Sequence, residues 1–294
     1  METTTSLIYL KLFIFYGSWL VFPLLYWFAS KRWKILIVLS LLFIYARFVE
    51  PQILLVNYTK IHTGFHAKYA LISDMHLGIY NNESILERAV DKINSLDVDA
   101  LLIAGDFTYE PQFDDMRKLF ASLAKVKVPV YAVLGNHDCE KPGPKIAKEL
   151  TKILEGFGVS VLDNKSLKLN NVNILGLGSR CAYNDKRILI SKYKKEDNLL
   201  VLAHHPDVTL DYNISKDYPD LTVVGHTHGG QIRIPFLYQS MISIRGNVAK
   251  GDILWNQGLY AFKNSQVFVT SGMGEIGLPM RFLIPPVIDI LELY

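Results

Sequence analysis

The sequence predicts an α/β fold with largely buried strands. Between residues 68 and 157, short apolar runs of strand length alternate with amphipathic helical patterns. From about residue 159 onward, strand patterns dominate. Half of the 294 residues are hydrophobic, which excludes a mainly disordered chain, and only two are cysteines, which excludes a scaffold stapled by disulfides.

The first fifty residues predict a membrane anchor. Residues 7–29 form a 23-residue apolar stretch with one charge, Lys11, and a transmembrane helix needs about 20 such residues. A cleaved signal peptide is the alternative, but its apolar core usually has ~7–15 residues, and no clear cleavage site follows here. We therefore expect one membrane span over residues 7–29.

A second apolar stretch covers residues 35–49 and is short for a span, with 15 residues. It either crosses the membrane or lies in the interface, and the sequence favours a second span. The basic cluster Lys31, Arg32 and Lys34 prefers the cytoplasm. The remaining chain therefore lies outside the cytoplasmic membrane if residues 35–49 cross it, and inside if they do not.

Residues 51–294 form the predicted main domain, which begins where Pro51 disfavours a continuing helix. Apolar periodicity predicts helices over residues 83–96, 113–125 and 144–157. The predicted strands are short apolar runs at residues 68–73, 100–104, 128–133, 159–162, 167–169, 172–177, 199–203, 221–224 and 267–270.

The charge distribution argues against nucleic-acid binding. Residues 1–50 carry five Lys/Arg and two Asp/Glu, so the remaining 244 residues hold 26 of the 31 basic and 26 of the 28 acidic side chains. The main domain is therefore formally neutral and has no basic stripe of the kind that binds phosphate backbones.

Five short polar segments each follow a predicted strand. Ligands gather at the carboxyl ends of strands in open α/β sheets, so we expect these segments to share one cleft. They are residues 73–76 (Ser-Asp-Met-His), 105–106 (Gly-Asp), 135–138 (Gly-Asn-His-Asp), 203–207 (Ala-His-His-Pro-Asp) and 225–228 (Gly-His-Thr-His).

The residue types in these segments predict a site for two metal ions. Carboxylate, amide and imidazole ligands without a thiolate suit Mn, Fe, Zn or Mg. Two cations ~3.5–4 Å apart need a shared ligand, and Asp106 is the candidate bridge because a carboxylate has two oxygens. Asp74 with His76, and His226 with His228, point to the same side if the backbone stays extended.

In this order, the five segments resemble the motifs of the calcineurin-like metallophosphoesterases, and the resemblance covers about residues 51–294. It implies a four-layer αββα sandwich and two divalent metal ions, with Mn expected first and Fe, Zn or Mg as alternatives. It implies a first metal bound by Asp74, His76, Asp106 and His228, and a second bound by Asp106, Asn136, His204 and His226.

The resemblance also assigns the remaining polar residues of the motifs. Asp106 and His137 are the implied catalytic residues, with His137 stabilising or protonating the leaving group and either Asp74 or Asp138 nearby as support. His204 is preferred to His205 as a ligand because the histidine of the family lies two residues before the proline, here Pro206.

A narrower resemblance points to a membrane-associated subgroup. Residues 225–231 (Gly-His-Thr-His-Gly-Gly-Gln), with residues 277–281 and Pro285-Pro286, resemble bacterial phosphodiesterases and UDP-2,3-diacylglucosamine pyrophosphohydrolases of lipid A synthesis. The resemblance implies that Arg281 binds a substrate phosphate, with a surface ion pair as the alternative. Residues 178–181 depart from the Gly-x-Asp-Asp expected of the subgroup, which leaves the substrate open.

Together these features predict a membrane-anchored hydrolase that cleaves a phosphodiester or pyrophosphate bond. The expected partners are the membrane and a phosphorylated substrate, such as the lipid-linked UDP-2,3-diacylglucosamine, with no obligate protein partner evident. The alternative is a non-catalytic membrane adaptor that retains the fold. Such an adaptor should have lost metal-ligand types, and this chain retains all of them.

Overall fold

The computed structural model describes residues 2–112, 114, 116–139, 145–180, 182–211, 219–235, 256–262 and 265–294. Within these residues the main domain has two six-stranded sheets. The first sheet has, in spatial order, β1 (Leu55–Ile61), β14 (Val287–Leu293), β2 (Ala67–Ile72), β4 (Ala100–Ala104), β6 (Val130–Val133) and β7 (Val159–Val161). Its neighbouring strands are parallel, except that β14 and β2 are antiparallel.

The second sheet has parallel strands at its centre and an antiparallel strand at each edge. Its spatial order is β12 (Gly258–Phe262), β13 (Ser265–Val269), β11 (Leu221–Val224), β10 (Leu199–Leu202), β9 (Val172–Gly176) and β8 (Ser166–Leu169). A small two-stranded ladder joins β3 (Leu77–Gly78) to β5 (Thr108–Tyr109) beside the first sheet.

The helices fall into an N-terminal group and a group in the main domain. The N-terminal helices are α1 (Glu2–Gly17), α2 (Val21–Ser30) and α3 (Lys34–Ile44). The helices of the main domain are α4 (Ser84–Ile93), α5 (Met116–Leu119) and α6 (Ala147–Gly156).

Apolar side chains fill the space between the two sheets and cover their outer faces. Leu71, Leu102 and Phe268 belong to the core between the sheets. Helices α4 and α6 cover the outer face of the first sheet, so its central strands, such as β4, are buried on both faces. The fold is therefore the mixed α/β arrangement that the sequence predicts.

The fourth layer differs from the prediction. In the described part of the chain, 3₁₀-helices rather than α-helices cover the outer face of the second sheet. Ile190 and Val208, from the 3₁₀-helices Arg187–Lys192 and Pro206–Asp211, pack in this outer core. The outer layer beside the second sheet in the αββα order therefore contains short 3₁₀-helices.

Several element boundaries also differ from the sequence predictions. The helix predicted over residues 113–125 is divided into α5 and a 3₁₀-helix, Ala121–Lys125, and Phe113 lies outside the described residues. The helix predicted from residue 144 begins at Ala147, and Pro144 also lies outside them. Strands β1, β12 and β14 were not predicted; β1 is half exposed and lacks a continuous apolar run.

The N-terminal segment folds into a helical hairpin. Two continuous helical stretches, Ser6–Ser30 and Lys34–Gln52, are long and apolar enough to cross a membrane by length and composition. Helices α2 and α3 pack against each other, and many of their large apolar side chains, such as Leu24 and Leu39, are exposed.

This hairpin is bound to the main domain at both of its ends. In the second half of α1, Lys11 forms an ion pair of 2.8 Å with Glu110. At the other end, the buried carboxylate of Glu50 accepts hydrogen bonds from the amides of Leu283 and Ile284 at 2.8 and 2.5 Å. The hairpin therefore has a fixed position beside the strand ends.

Candidate metal centre

The predicted ligand residues lie just beyond the carboxyl ends of strands from both sheets, and most of them have strained backbones. Asp74, His76, Asp106, His226 and His228 have φ between +46° and +72°. Non-glycine residues rarely adopt this left-handed region, and such strain is concentrated at functional sites. The backbone of the two alternating pairs is therefore not extended, which was the condition for the members of each pair to point to the same side. Left-handed turns instead direct these side chains into the cleft.

Two glycines of the motifs are required by close backbone approach. A Cβ atom at Gly135 would collide with the carboxylate of Asp106. A Cβ atom at Gly225 would collide with the side chains of Ser73 and Asp74. The glycines preceding Asn136 and His226 thus leave space for the two carboxylates that the site contains.

A first group of converging side chains contains Asp74, His76 and His228. The Nε2 atoms of the two histidines are 3.0 Å apart, and the Nε2 of His228 is 3.5 Å from Oδ1 of Asp74. All three side chains are buried. Their donor atoms lie within 4.8 Å of one another, close enough to share one cation.

A second group surrounds His204. Its Nε2 is 3.0 Å from Oδ1 of Asn136, 3.2 Å from Oδ2 of Asp106 and 3.2 Å from Nδ1 of His226. The structure therefore brings together the four residues that the sequence assigned to the second metal ion.

Asp106 lies between the two groups. Its Oδ2 is 3.5 Å from Nε2 of His76 on one side and 3.2 Å from Nε2 of His204 on the other. Its Oδ1 accepts a hydrogen bond of 2.9 Å from the backbone N–H of His137, which fixes the orientation of the carboxylate. This is the position that a bridging ligand requires.

The hydrogen-bond partners of the histidine rings show that the donor set suits a cation. The Nδ1 atoms of His76, His228 and His204 face the backbone carbonyls of Thr108, Gly274 and Ala104 at 3.3, 3.3 and 2.7 Å. Because a carbonyl only accepts, each Nδ1 carries the proton, and the neutral rings of His76 and His228 present a lone pair at Nε2. Lone pairs thus converge with carboxylate oxygens, an arrangement that divalent metal ions satisfy.

Burial and mutual charge shift the pKa values of these groups. Burial lowers the pKa of His76 to about 3 and raises that of Asp74 to about 6. At His204, burial lowers the pKa, but the charge of Asp106 outweighs it and raises the pKa to about 9. Burial opposes ionisation of Asp106, yet the charge of His204 holds its pKa well below the usual range. The bridging carboxylate is therefore ionised.

Asp138 connects the loops that carry the ligands. Its Oδ1 accepts hydrogen bonds from the backbone and hydroxyl of Thr108 at 3.0 and 2.9 Å, and its Oδ2 accepts from the amides of Phe107 and Gly135 at 3.1 and 3.0 Å. The supporting role implied for Asp138 thus corresponds to a buried structural contact between the Asp106 and Asn136 loops.

His137 borders the cleft. Its ring centroid is 5.0 Å from that of His76 and 5.4 Å from that of Tyr109. Burial lowers the pKa of His137, so its ring is neutral near pH 7 and can donate one hydrogen bond.

The structure gives Arg281 a position other than the predicted one. Its guanidinium is fully buried and donates to the backbone carbonyls of Ser271, Gly274 and Ile284 at 2.7–3.1 Å. Four of its five N–H groups are occupied and the side chain is fully buried, so it does not reach a substrate phosphate in the cleft. We therefore correct the predicted substrate contact to a structural role: Arg281 orients the Gly274 carbonyl that faces His228.

Sequence reasoning set His205 aside in favour of His204, and it missed two further neighbours of the site, Tyr109 and Lys11. The ring of His205 lies 4.4 Å from that of His226, and the donor atoms of His204, His205 and His226 could also share a cation. The ring of Tyr109 lies 5.6 Å from that of His76, and the ammonium of Lys11 lies 4.3 Å from the centroid of Tyr109. The adjacent His-His pair was a signal for His205, whereas nothing in the sequence connected Lys11 to residues about a hundred positions away.

Two groups of histidine and carboxylate side chains thus lie at the ends of strands from two facing sheets. This arrangement is typical of metal-dependent hydrolases. Comparison with known proteins agrees. Residues 67–230 match the family described as calcineurin-like phosphoesterase, which is more than half of the chain. The chain belongs to this family and is a metallophosphoesterase, as the sequence motifs predict.

Three bacterial relatives have related names. The chain is 28% identical over 266 residues to the metallophosphoesterase YkuE of Bacillus subtilis, covering 85% of this chain and 88% of that protein. It is 28% identical over 236 residues to phosphodiesterase YaeI of Escherichia coli K12, covering 77% of this chain and 82% of that protein. It is 26% identical over 312 residues to UDP-2,3-diacylglucosamine pyrophosphatase LpxG of Chlamydia muridarum, covering 86% of this chain and 93% of that protein.

Proposed function

We propose that this protein is a membrane-anchored dimetal hydrolase of phosphodiester or pyrophosphate bonds. The observation that carries the proposal is the position of Asp106 Oδ2, within 3.5 Å of a histidine from each group of ligands. The first ion would be held by Asp74, His76, Asp106 and His228. The second would be held by Asp106, Asn136, His204 and His226.

Each side chain has a distinct role in this proposal. Two divalent cations, when bound, supply positive charge for the phosphoryl oxygens and acidify an attacking water. Asp106 holds the two positions at a fixed separation, and the Nδ1 hydrogen bonds of His76, His204 and His228 fix their ring orientations. His137, at the border of the cleft, donates a hydrogen bond to the departing oxygen.

The membrane part of the proposal rests on the N-terminal hairpin. Residues 1–50 act as the anchor and residues 51–294 as the catalytic domain. The hairpin has a large exposed apolar surface, which is typical of a lipid-facing segment. Its ion pair between Lys11 and Glu110 places α1 beside Tyr109 and therefore beside the cleft. A substrate that reaches this cleft from a bilayer is an amphiphile whose phosphate lies at the membrane surface.

The name of the chlamydial relative supports one candidate substrate, UDP-2,3-diacylglucosamine. Its diacyl group would remain in the bilayer and its pyrophosphate would enter the cleft. Lipid A synthesis is the corresponding cellular role.

The proposal is tested by a substrate screen with the full-length protein in detergent or nanodiscs. The chain is stripped of metal, reloaded with Mn, Fe, Zn or Mg, and assayed on UDP-diacylglucosamine, bis-p-nitrophenyl phosphate and p-nitrophenyl phosphate. We expect metal-dependent cleavage of the first two substrates in preference to the monoester. Preference for the monoester, or turnover that does not depend on metal, would contradict the proposal.

A further inference from the structure

A cavity lies where the N-terminal hairpin meets the main domain. Its volume is about 200 Å³, and its walls come from both parts of the chain. The hairpin contributes aromatic rings, and the main domain contributes Tyr80, Asn81 and Glu275. Such a combination of aromatic walls with a few placed polar groups is typical of sites for small ligands.

Buried polar side chains line the cavity. Asn81 and Glu275 interact with each other, and Glu275 is only 3% exposed. Neither Nδ2 of Asn81 nor Oε2 of Glu275 makes a hydrogen bond of normal geometry within the described residues. The amide and the carboxylate therefore retain capacity for hydrogen bonds with a ligand.

Arg47, on the hairpin side, faces the same cavity. Its Nε donates to Ser18 Oγ at 3.1 Å, and its guanidinium lies over the rings of Phe15 and Phe48 at 4.6 and 4.8 Å. Within the described residues, no hydrogen bond or ion pair occupies its two terminal nitrogens. One cation and one carboxylate together favour a neutral ligand that both donates and accepts hydrogen bonds.

The position of the cavity connects it to both the cleft and the hairpin. The ring of Tyr80 lies 5.5 Å from that of Tyr109, which in turn lies 5.4 Å from that of His137. On the other side, an apolar cavity of about 420 Å³ between α2 and α3 begins at Gly17 and Ser18. The hydrogen bond from Arg47 to Ser18 joins a wall of each cavity, so a polar space lies beside an apolar one, as a head group lies beside its hydrocarbon chain.

We propose that the cavity lined by Arg47, Asn81 and Glu275 is a subsite for a hydroxyl-rich head group, such as a sugar ring, of a membrane amphiphile. Hydroxyl groups donate to Glu275 and accept from Arg47 and Asn81, while the aromatic rings pack against the faces of the sugar. The volume is below the roughly 300–1,000 Å³ of drug-sized sites, so the cavity accommodates a single ring. This inference rests on the proposed function, because it takes the hairpin to lie in a bilayer.

The test uses a glycolipid without phosphate, which separates binding at the subsite from catalysis. Full-length protein is placed in nanodiscs of dioleoylphosphatidylcholine and dioleoyl glucosyl diacylglycerol in equal amounts, and native mass spectrometry measures which lipid stays bound. We expect the glucosyl lipid to be retained at least about tenfold over phosphatidylcholine. Equal retention of the two lipids would overturn the inference, whatever the catalytic assays show.

Substitutions locate the binding site. Glu275→Gln and Asn81→Leu are expected to reduce the preference to below about twofold, whereas Glu87→Gln, at an exposed carboxylate on α4, retains it. One variant changes the carboxylate of the cavity and the other changes the amide. If one of them fails to fold, the other still tests the site. Retained preference in a folded Glu275→Gln or Asn81→Leu protein would also overturn the inference. If the protein retains the glucosyl lipid but shows no metal-dependent hydrolysis, the proposed function is overturned and this inference is not.

Discussion

Asp106 has a constrained environment among the candidate ligands. Its backbone is left-handed at φ +53°, its Oδ1 accepts from the amide of His137, and Gly135 leaves just enough space beside it. Strain of this kind costs about 1–3 kcal/mol and persists only where the surroundings impose it. The residue is therefore held in place for a purpose other than stability.

Asp106→Asn is expected to lower metal-dependent kcat by at least about a hundredfold, since an amide bridges two cations poorly. Steady-state hydrolysis of bis-p-nitrophenyl phosphate measures the effect. Asp97→Asn makes the same chemical change at an exposed position, and Cys139→Ala removes a thiol whose pKa burial raises. If all three variants lose activity equally, the assignment of Asp106 is wrong.

Arg281→Met is expected to destabilise the metal-free protein by about 3 kcal/mol, because three buried carbonyls lose a charged donor. Urea unfolding of the metal-free chain measures this change. A substrate contact would give the opposite pattern, with unchanged stability and a raised KM.

At the scale of single elements, β14 shows how distant segments complete the first sheet. It lies between β1 and β2, so the last strand of the chain joins the first two. Within β14, the buried Asp289 lies in register with Asn57 of β1. Its Oδ1 accepts a hydrogen bond of 3.0 Å from the side-chain amide of Asn57. Burial raises the pKa of Asp289 to about 6.

This shift predicts a pH-dependent stability. Because the folded pKa lies above the unfolded value of 3.8, the folded chain holds a proton between the two, and the stabilisation from that proton is lost as the pH rises through 6. Asn does not titrate. The free energy of unfolding of Asp289→Asn relative to wild type should therefore increase by about 2–3 kcal/mol between pH 4 and pH 7.

Urea unfolding of both chains at the two pH values measures this difference, and the exposed Asp97→Asn variant is its control. A difference between Asp289→Asn and wild type that does not change with pH would show that Asp289 has no raised pKa.

The sequence predicted those elements and ligands whose signal is local. The apolar strands β4 and β11 follow from their composition, and the polar residues after them follow from the rule that ligands gather at strand ends. The half-exposed β1 lacked such a signal. The role of Arg281 was also not predictable, because its carbonyl partners depend on tertiary folding.

At the scale of the whole molecule, hydrogen bonds join the hairpin to the main domain. Ala46 accepts a hydrogen bond from the amide of Arg281 at 3.0 Å, and Glu50 binds the next loop residues. The segment that is expected to contact lipid is thus connected through Arg281 to Gly274 and His228. The hairpin and the candidate metal centre therefore share a structural framework.

The exposed apolar surface of the hairpin leads us to expect membrane association. In a flotation gradient with phosphatidylcholine vesicles, the full-length protein should float with the lipid after a high-salt wash. Replacing the exposed Leu24 and Leu39 by Glu should weaken this association, since each charge opposes insertion by several kcal/mol. A chain that stays in the soluble fraction without detergent would contradict the membrane anchor.

The most direct test of the account is anomalous diffraction from crystals of the Mn-loaded protein, with data on both sides of the Mn absorption edge. The account predicts two anomalous peaks about 3.5–4 Å apart, both in contact with Asp106, one beside His76 and His228 and the other beside Asn136 and His204. A single peak, or peaks that do not touch Asp106, would contradict it.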